Sequence, residues 1–383
     1  MTAPGPRVMI VVTHLLGTGH LARAATLARA FVAAGAEVTL VSGGFAVPRI
    51  DTGGADLVQL PPLRSDGVDF SRLLDGNDNP ADDALFRSRA DQMIDTLRRT
   101  DPQVLITELF PFGRRNLRQE FTALLEAADD LEARPLILCS IRDILAPPSK
   151  PSRADWTEAL VARHYDAVLV HSDPTVTPLE LSWPVTDALA AKLAYTGFVA
   201  PPPAPLHPTT DGAGEVLISA GGGSVGDHVY SAALAAARLQ PTRNWRLLVG
   251  GADAHDRCAS LRAEAPSNVI VEPARADFRQ MLHHAAASVS MCGYNTALDL
   301  LQAGTPAVIV PFDAGSEVEQ GLRAKALSRL PGFETIRATD LDAKGLANAV
   351  MRLESGPRRT PVTTGLDGAR HSAEIVFEML EDR

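Results

Sequence analysis

The stretch Ser290–Phe312, SMCGYNTALDLLQAGTPAVIVPF, collects residue types suited to holding an anion. A β-rich run ends at Met291, a turn carries Gly293, and a helix is expected from about Asn295–Thr296 to Gly304–Thr305–Pro306. Unpaired backbone N–H groups and the positive dipole end meet at such a helix start, so a phosphate can be met there without a cationic side chain. Gly293 allows close backbone approach, while Asn295 and Thr296 either donate to a phosphate oxygen or simply cap the helix. Asp299 follows one turn on and projects on the same side. A carboxylate there suits sugar hydroxyls better than phosphate; its plainer role is a charge near the helix start. The next loop, FDAGSEVEQGLRA, adds Glu317, Glu319 and Gln320 at a strand's carboxyl end, where open α/β sheets bind ligands.

These groups need a frame, and the sequence supplies one twice. Val8–Thr13 is a continuous β-rich run leading into LGTGH and an Ala/Leu/Arg-rich helix ended by Gly35. Strand signals recur at Glu37–Ser42, Val104–Thr107, Leu136–Ser140 and Ala167–His171, with helical stretches between them. The theme restarts at Glu215–Ser219 with the turn AGGGSVGDH and a helix, followed by strands near Arg246–Val249, Val269–Val271, Ser288–Met291 and Ala307–Pro311. Between the two series lies FVAPPPAPLHPTTDGAG, whose five prolines read as a stiff extended connector. The expectation is an α/β chain of two doubly wound Rossmann-like domains: residues 1–200, a Pro-rich linker at 201–213, and residues 214–383. Neither glycine turn has the dinucleotide fingerprint with an acidic residue about 20 positions on, which argues against hydride transfer. The polar, turn-rich stretch Leu63–Asp83 reads as a solvated surface loop, or more sharply as a flap over an acceptor site.

Composition sets outer limits. The chain has 383 residues, 45% of them apolar, 21% charged and with a net charge of -10. It can bury an ordinary core, and general nucleic-acid binding is disfavoured. Cys139, Cys258 and Cys292 have no metal or disulfide spacing and read as small buried residues in a reducing compartment. No apolar run is long enough to span a bilayer, so a cytoplasmic protein is expected.

The order strand, Gly-x-x-Thr, acidic residue, AGTPAVIVPF and Glu-Gln resembles the nucleotide-sugar domain of GT-B glycosyltransferases, most closely the MurG-like, peptidoglycan N-acetylglucosaminyltransferase type. LITELFPFGRR, CSIRDIL and YDAVLVHSDP add to the likeness. The resemblance implies two domains facing across a cleft, with the last helix crossing back to the first. It implies a diphosphate at Gly293, Tyr294, Asn295 and Thr296, a ribose contact at Asp299, and sugar contacts at Glu319 (or Glu317) and Gln320. It places the Gly221–Gly222–Gly223–Ser224 turn toward the diphosphate, and Glu272–Arg275 beside the nucleobase. Asp299 stands where Glu is commoner. Retaining members carry an acid at the position of Met291, so its absence implies inversion.

On the first domain the same resemblance maps the glycine turn onto Gly17, Thr18, Gly19 and His20, with His20 as the base that deprotonates an acceptor hydroxyl. His14 competes for that role. Glu108, directly after Val104–Thr107 and on the same sheet edge, is the first candidate to orient the base, and Asp143 the second; Asp143 pairs with Arg142 or caps a turn on the plainer reading. The implied reaction needs no cofactor and no metal: Asp340-Leu-Asp342 lies at a late turn, and adjacent His283 and His284 do not share a helix face. The expected partners are a nucleotide-diphospho-sugar donor, UDP-linked by preference, and an acceptor that is lipid-linked, bringing peripheral membrane contact, or a small molecule. The rival readings are a nucleotide-sugar 2-epimerase of the same fold and a catalytically inactive sugar-nucleotide-binding subunit.

Overall fold

The computed structural model describes residues 5–383 except 49, 67–68, 221–225, 252 and 313–317, and leaves out the side chains of 69–71. The chain forms two compact units, one running up to Pro201 and taking in Asp367–Arg383, the other Pro202–Leu366.

The first unit runs β1 (Arg7–Val12), α1 (Gly19–Ala33), β2 (Glu37–Ser42), β3 (Asp56–Gln59), β4 (Arg64–Asp66), β5 (Asp69–Leu74), α2 (Asp83–Thr100), β6 (Val104–Glu108), α3 (Arg118–Asp129), β7 (Leu136–Arg142), α4 (Pro151–His164), β8 (Ala167–His171), α5 (Asp187–Ala190) and β9 (Leu193–Tyr195). Its parallel sheet has the order β3-β2-β1-β6-β7-β8-β9. Strands covered on both faces divide their side chains between two cores, because alternate residues point to opposite faces. In β1, Met9 and Val11 join the core containing Leu97, Phe121 and Leu124 of α2 and α3. Val8, Ile10 and Val12 join the other, with Leu21, Ala24, Leu27, Ala28 and Phe31 on one stripe of α1.

The second unit runs β10 (Val216–Ser219), α6 (Asp227–Leu239), β11 (Trp245–Val249), α7 (Ala254–Glu264), β12 (Val269–Pro273), α8 (Phe278–Met281), β13 (Ala287–Ser290), α9 (Tyr294–Ala303), β14 (Ala307–Ile309), α10 (Glu319–Leu327), β15 (Phe333–Thr335) and α11 (Ala343–Ser355). Its sheet order is β12-β11-β10-β13-β14-β15. Each sheet therefore reverses direction beside its first strand, between β1 and β6 and between β10 and β13, the points where such sheets take ligands at their carboxyl ends. The last helix, α12 (Gly368–Glu381), packs on α1 in the first unit, with Phe31 and Phe377 rings 5.9 Å apart.

One expectation is corrected here. The stretch Leu63–Asp83 is no bare loop: β4 and β5 pair as an antiparallel hairpin, Leu63, Leu73 and Leu74 are buried, and Ser65 N donates to Leu15 O at 2.7 Å. Its polar residues concealed a buried edge. The Pro-rich stretch is anchored to the second unit. Arg279 Nη2 donates to Pro202 O, His283 Nε2 lies 2.8 Å from Ala204 O, and His207 pairs with Asp277, all within the second unit.

Candidate active site

The C-terminal ends of β1 and β6 place a histidine, a carboxylate and a guanidinium together. α1 begins at Gly19, so His20 sits in its first turn, and Glu108 is the last residue of β6. His20 Nδ1 lies 2.8 Å from Glu108 Oε1. Arg23, one turn further along α1, donates from Nη2 to the same oxygen. Glu108 is fully buried and Arg23 nearly so, whereas the His20 side chain keeps 16% of its surface. Burial, outweighing the favourable charge of Glu108, holds the His20 imidazole down to about 3. His20 and Arg23 hold Glu108 well below the ordinary carboxylate range, against its burial. The ring is thus neutral at pH 7. With Nδ1–H donating to Glu108, Nε2 is the basic nitrogen, and no described residue bonds to it.

His14 lies before the turn but is only 6% exposed. A Cβ on Gly44 would fall 2.4 Å from His14 Nδ1, so a glycine is needed to let the ring pack there. Leu16, Gly17 and Thr18 are exposed, and Thr18 opens α1 without a side-chain cap. Arg142 is half-buried and Asp143 is buried at the end of β7. Phe110, Phe112 and Leu15 are buried, whereas Leu16 is exposed.

Behind the pair lies a polar chain that sequence reasoning missed. His171, ending β8, sits 2.8 Å from Ser140 Oγ through Nε2 and 2.8 Å from Thr196 Oγ1 through Nδ1. Burial, aided by Arg23 and opposed by Glu108, holds this ring down to about 3. Because the unfolded histidine titrates near 6.5, the unfolded state binds the extra proton as pH falls below that value. Stability from His171 is whole above about pH 6.5 and falls by about 1.4 kcal/mol per pH unit towards pH 3. Urea unfolding at pH 7, 6, 5 and 4 should therefore show a shallower acid loss for His171→Asn than for wild type; equal slopes would refute the assignment.

In the second unit, α9 begins at Tyr294 with Gly293 as its cap residue and no side-chain cap. Asn295 and Thr296 therefore lie inside the helix and do not cap it, which corrects both the expected start and the plainer reading of those residues. The first intrahelical bond is Ala297 N to Gly293 O, 3.0 Å, so the N–H groups of Asn295 and Thr296 precede the ladder. A Cβ on Gly293 would meet only Thr296 Oγ1, at 3.9 Å, so the glycine leaves open space before the helix. Gln320 braces this turn: its Oε1 accepts from Cys292 N at 2.9 Å and Phe312 N at 3.0 Å. Arg323 donates to Cys292 O at 2.8 Å and lies over the Tyr294 ring. Glu319 is buried.

Asp299 Oδ1 accepts from Arg279 Nε at 2.8 Å, and burial pushes its carboxyl up to about 6 against that charge. Arg279 had no sequence signal, because its partner lies 20 residues away. Arg275 is engaged by Asp277, Asp211 and Glu272. Gly221–Ser224 and Glu317 lie outside the described residues. Asp342 caps α11 and Asp340 pairs with Arg337, both structural roles. The three cysteines are buried, and among the described residues no helix is long and apolar enough to cross a membrane.

Two Rossmann-like units of this order define the GT-B class of fold. The crystal structure of the glycotransferase of kitacinnamycin superposes with a TM-score of 0.64 at 18% identity, covering 98% of this chain and 99% of that one. Residues 217–369 match the glycosyltransferase family 28 C-terminal domain. The chain is also similar to the UDP-N-acetylglucosamine–N-acetylmuramyl-(pentapeptide) pyrophosphoryl-undecaprenol N-acetylglucosamine transferases of Desulforudis audaxviator, 30% identical over 97 residues (25% of this chain), and Brucella anthropi, 31% over 143 residues (36%). The matched part spans 26% and 38% of those relatives' own lengths. The likeness to MurG-like GT-B glycosyltransferases drawn from the sequence therefore holds.

Proposed function

We propose that this chain transfers a sugar from a nucleotide-diphospho-sugar to an acceptor hydroxyl, inverting the anomeric carbon and using no metal ion. The observation that carries the reading is the pairing of His20 with buried Glu108, which fixes a neutral imidazole with Nε2 available. The acceptor O–H gives its proton to Nε2, and its oxygen forms the bond to the anomeric carbon. The bond from that carbon to the diphosphate breaks, its electron pair leaving on the phosphate oxygen. Backbone N–H groups at the start of α9 meet this developing charge, and an oriented donor needs no reorganisation to do so. The curated relatives' names supply UDP-N-acetylglucosamine and an undecaprenol-linked acceptor, which supports a UDP-sugar donor and a lipid-linked acceptor; a cytoplasmic protein touching the membrane peripherally is the location we propose to go with such an acceptor. A small-molecule acceptor is the other option.

The donor half is tested by Gly293→Val. The backbone there is extended in a region any residue adopts, and the space is open, so the variant should fold with an unchanged melting midpoint. Its side chain would cover the α9 N–H groups. The midpoint rise given by UDP-sugars, screened against GDP- and dTDP-sugars, should then correspond to binding at least about tenfold weaker than wild type. Turnover should survive EDTA. No shift with any sugar nucleotide, or an equal shift in Gly293→Val, would overturn the donor assignment.

A further inference from the structure

A groove of about 810 Å³ opens in the first unit among β5, α2 and the starts of α3 and α4. Its walls carry Arg72, Arg115, Arg118 and Arg153, with Phe86 and Trp156 between them. The two acids in the lining are Asp83 and Glu120, and Glu120 is already consumed by fully buried Arg89, with both Arg89 Nε and Nη2 at 2.9 Å from it. In a chain of net charge -10, one stretch of surface thus gathers four guanidiniums against a single uncommitted carboxylate. Arg72 reaches Asp66 across 3.3 Å, but among the described residues no carboxylate pairs with Arg115, Arg118 or Arg153. Arg115 lies over the Trp183 ring, its Nε buried without a hydrogen bond, and both burial and the charge of Arg153 hold its guanidinium below the ordinary value. Like charges kept this near one another without a counter-ion are stabilised by an anion between them.

Two segments link the groove to His20 and Glu108. The loop that leaves β6 begins after Glu108 and reaches the groove at Arg115; on the way, Arg114 Nε donates to Thr13 O at 2.7 Å, and its charge acts on His20. The hairpin that forms another wall bonds to Leu15 in the His20 loop. Phe86 and Trp156 pack against the core and offer apolar surface beside the cations. A volume of this size suits a molecule of drug-like dimensions. We propose that the groove seats the acceptor, and that this acceptor carries a phosphate or carboxylate on an aromatic or apolar body. This rests on the glycosyl-transfer reading for its link to His20, while the groove's affinity for an anion can be measured without it.

Phenyl phosphate is the probe, with phenol as its uncharged counterpart, titrated calorimetrically into the full chain. Wild type should bind phenyl phosphate saturably and phenol at least tenfold more weakly. Arg118→Gln/Arg153→Gln, both at exposed positions, should lose about tenfold or more of the phenyl phosphate affinity, and Arg115→Gln should do the same. The donor-induced midpoint rise should persist in all of them. Equal affinity in wild type and variants would overturn the groove, as would sedimentation with phosphatidylglycerol vesicles lost in the variants while phenyl phosphate never binds, since that outcome describes a bilayer-facing surface. If phenyl phosphate binds as expected but no sugar nucleotide shifts or turns over, the groove stands as an anion site and its acceptor role falls with the transfer reading.

Discussion

His20→Ala is expected to lower kcat by about 10²–10⁴ while leaving the donor-induced rise in melting midpoint intact. That corresponds to about 3–5 kcal/mol of transition-state stabilisation, the usual share of one positioned base. The loss should appear in the chemical step, because the ring lies on the first unit and Gly293–Thr296, the proposed donor groups, lie on the second. The pH profile gives an independent reading. With burial holding His20 down to about 3, it stays neutral through mildly acidic pH, so kcat/KM for the free enzyme should show no decline at 6.5 from this group. Even with Glu108 beside it, a ring so reluctant to carry charge is a weak base until something further raises it, and an anionic ligand can do so. An acceptor with an anionic group should therefore be turned over faster than its neutral analogue. Activity of His20→Ala within threefold of wild type, or an acid limb at 6.5 that vanishes in this variant, would remove His20 or its environment from the mechanism.

Much of this arrangement was legible in the residues. Each unit announces itself by a strand, a glycine turn and a helix, because a two-face-covered strand must be apolar throughout and the turn must be tight. Glu108 could be found because a residue that directly ends a central strand lies on the ligand edge whatever surrounds it. Arg23 could not: an arginine in an Ala/Leu-rich helix ordinarily faces water, and only its spacing of three from His20 hinted at a shared face. The partners of His171 stayed hidden for a related reason, since Ser140 and Thr196 join it across three strands and a sheet's lateral contacts leave no local period. The hairpin at Arg64–Leu74 was missed because its alternation is short and polar, and its burial comes from Leu63, Leu73 and Leu74 meeting a core built elsewhere. At α9, Asn295 and Thr296 look like cap residues by type, but Gly293 supplies the extended cap conformation two residues before the first of them.

Arg23 and Glu108 should prove strongly coupled in stability, with a second effect on the base. Glu108 Oε1 receives both His20 and Arg23, and the Glu108 and Arg23 side chains are 0% and 2% exposed. Glu108→Gln strands the Arg23 cation in the interior and should cost about 3–5 kcal/mol, as breaking a buried pair does. It should also lower kcat by up to about 10⁴, because an amide nitrogen turned towards Nδ1 would favour the wrong tautomer. Arg23→Met should be destabilising by a similar amount and opposite in its electrostatics: Glu108 keeps its charge with His20 as its nearest partner. The folded-state affinity of His20 for a proton then rises, so the acid limb of kcat/KM moves upward in pH. Removing both charges in Arg23→Met/Glu108→Gln should recover much of the stability, since a neutral pair has no ion left to desolvate. Urea unfolding of the four proteins measures the coupling, expected at about 2–3 kcal/mol. Single changes that add within about 0.5 kcal/mol would mean the two groups act independently, and the buried triad would then be a packing coincidence, with no hold on the base.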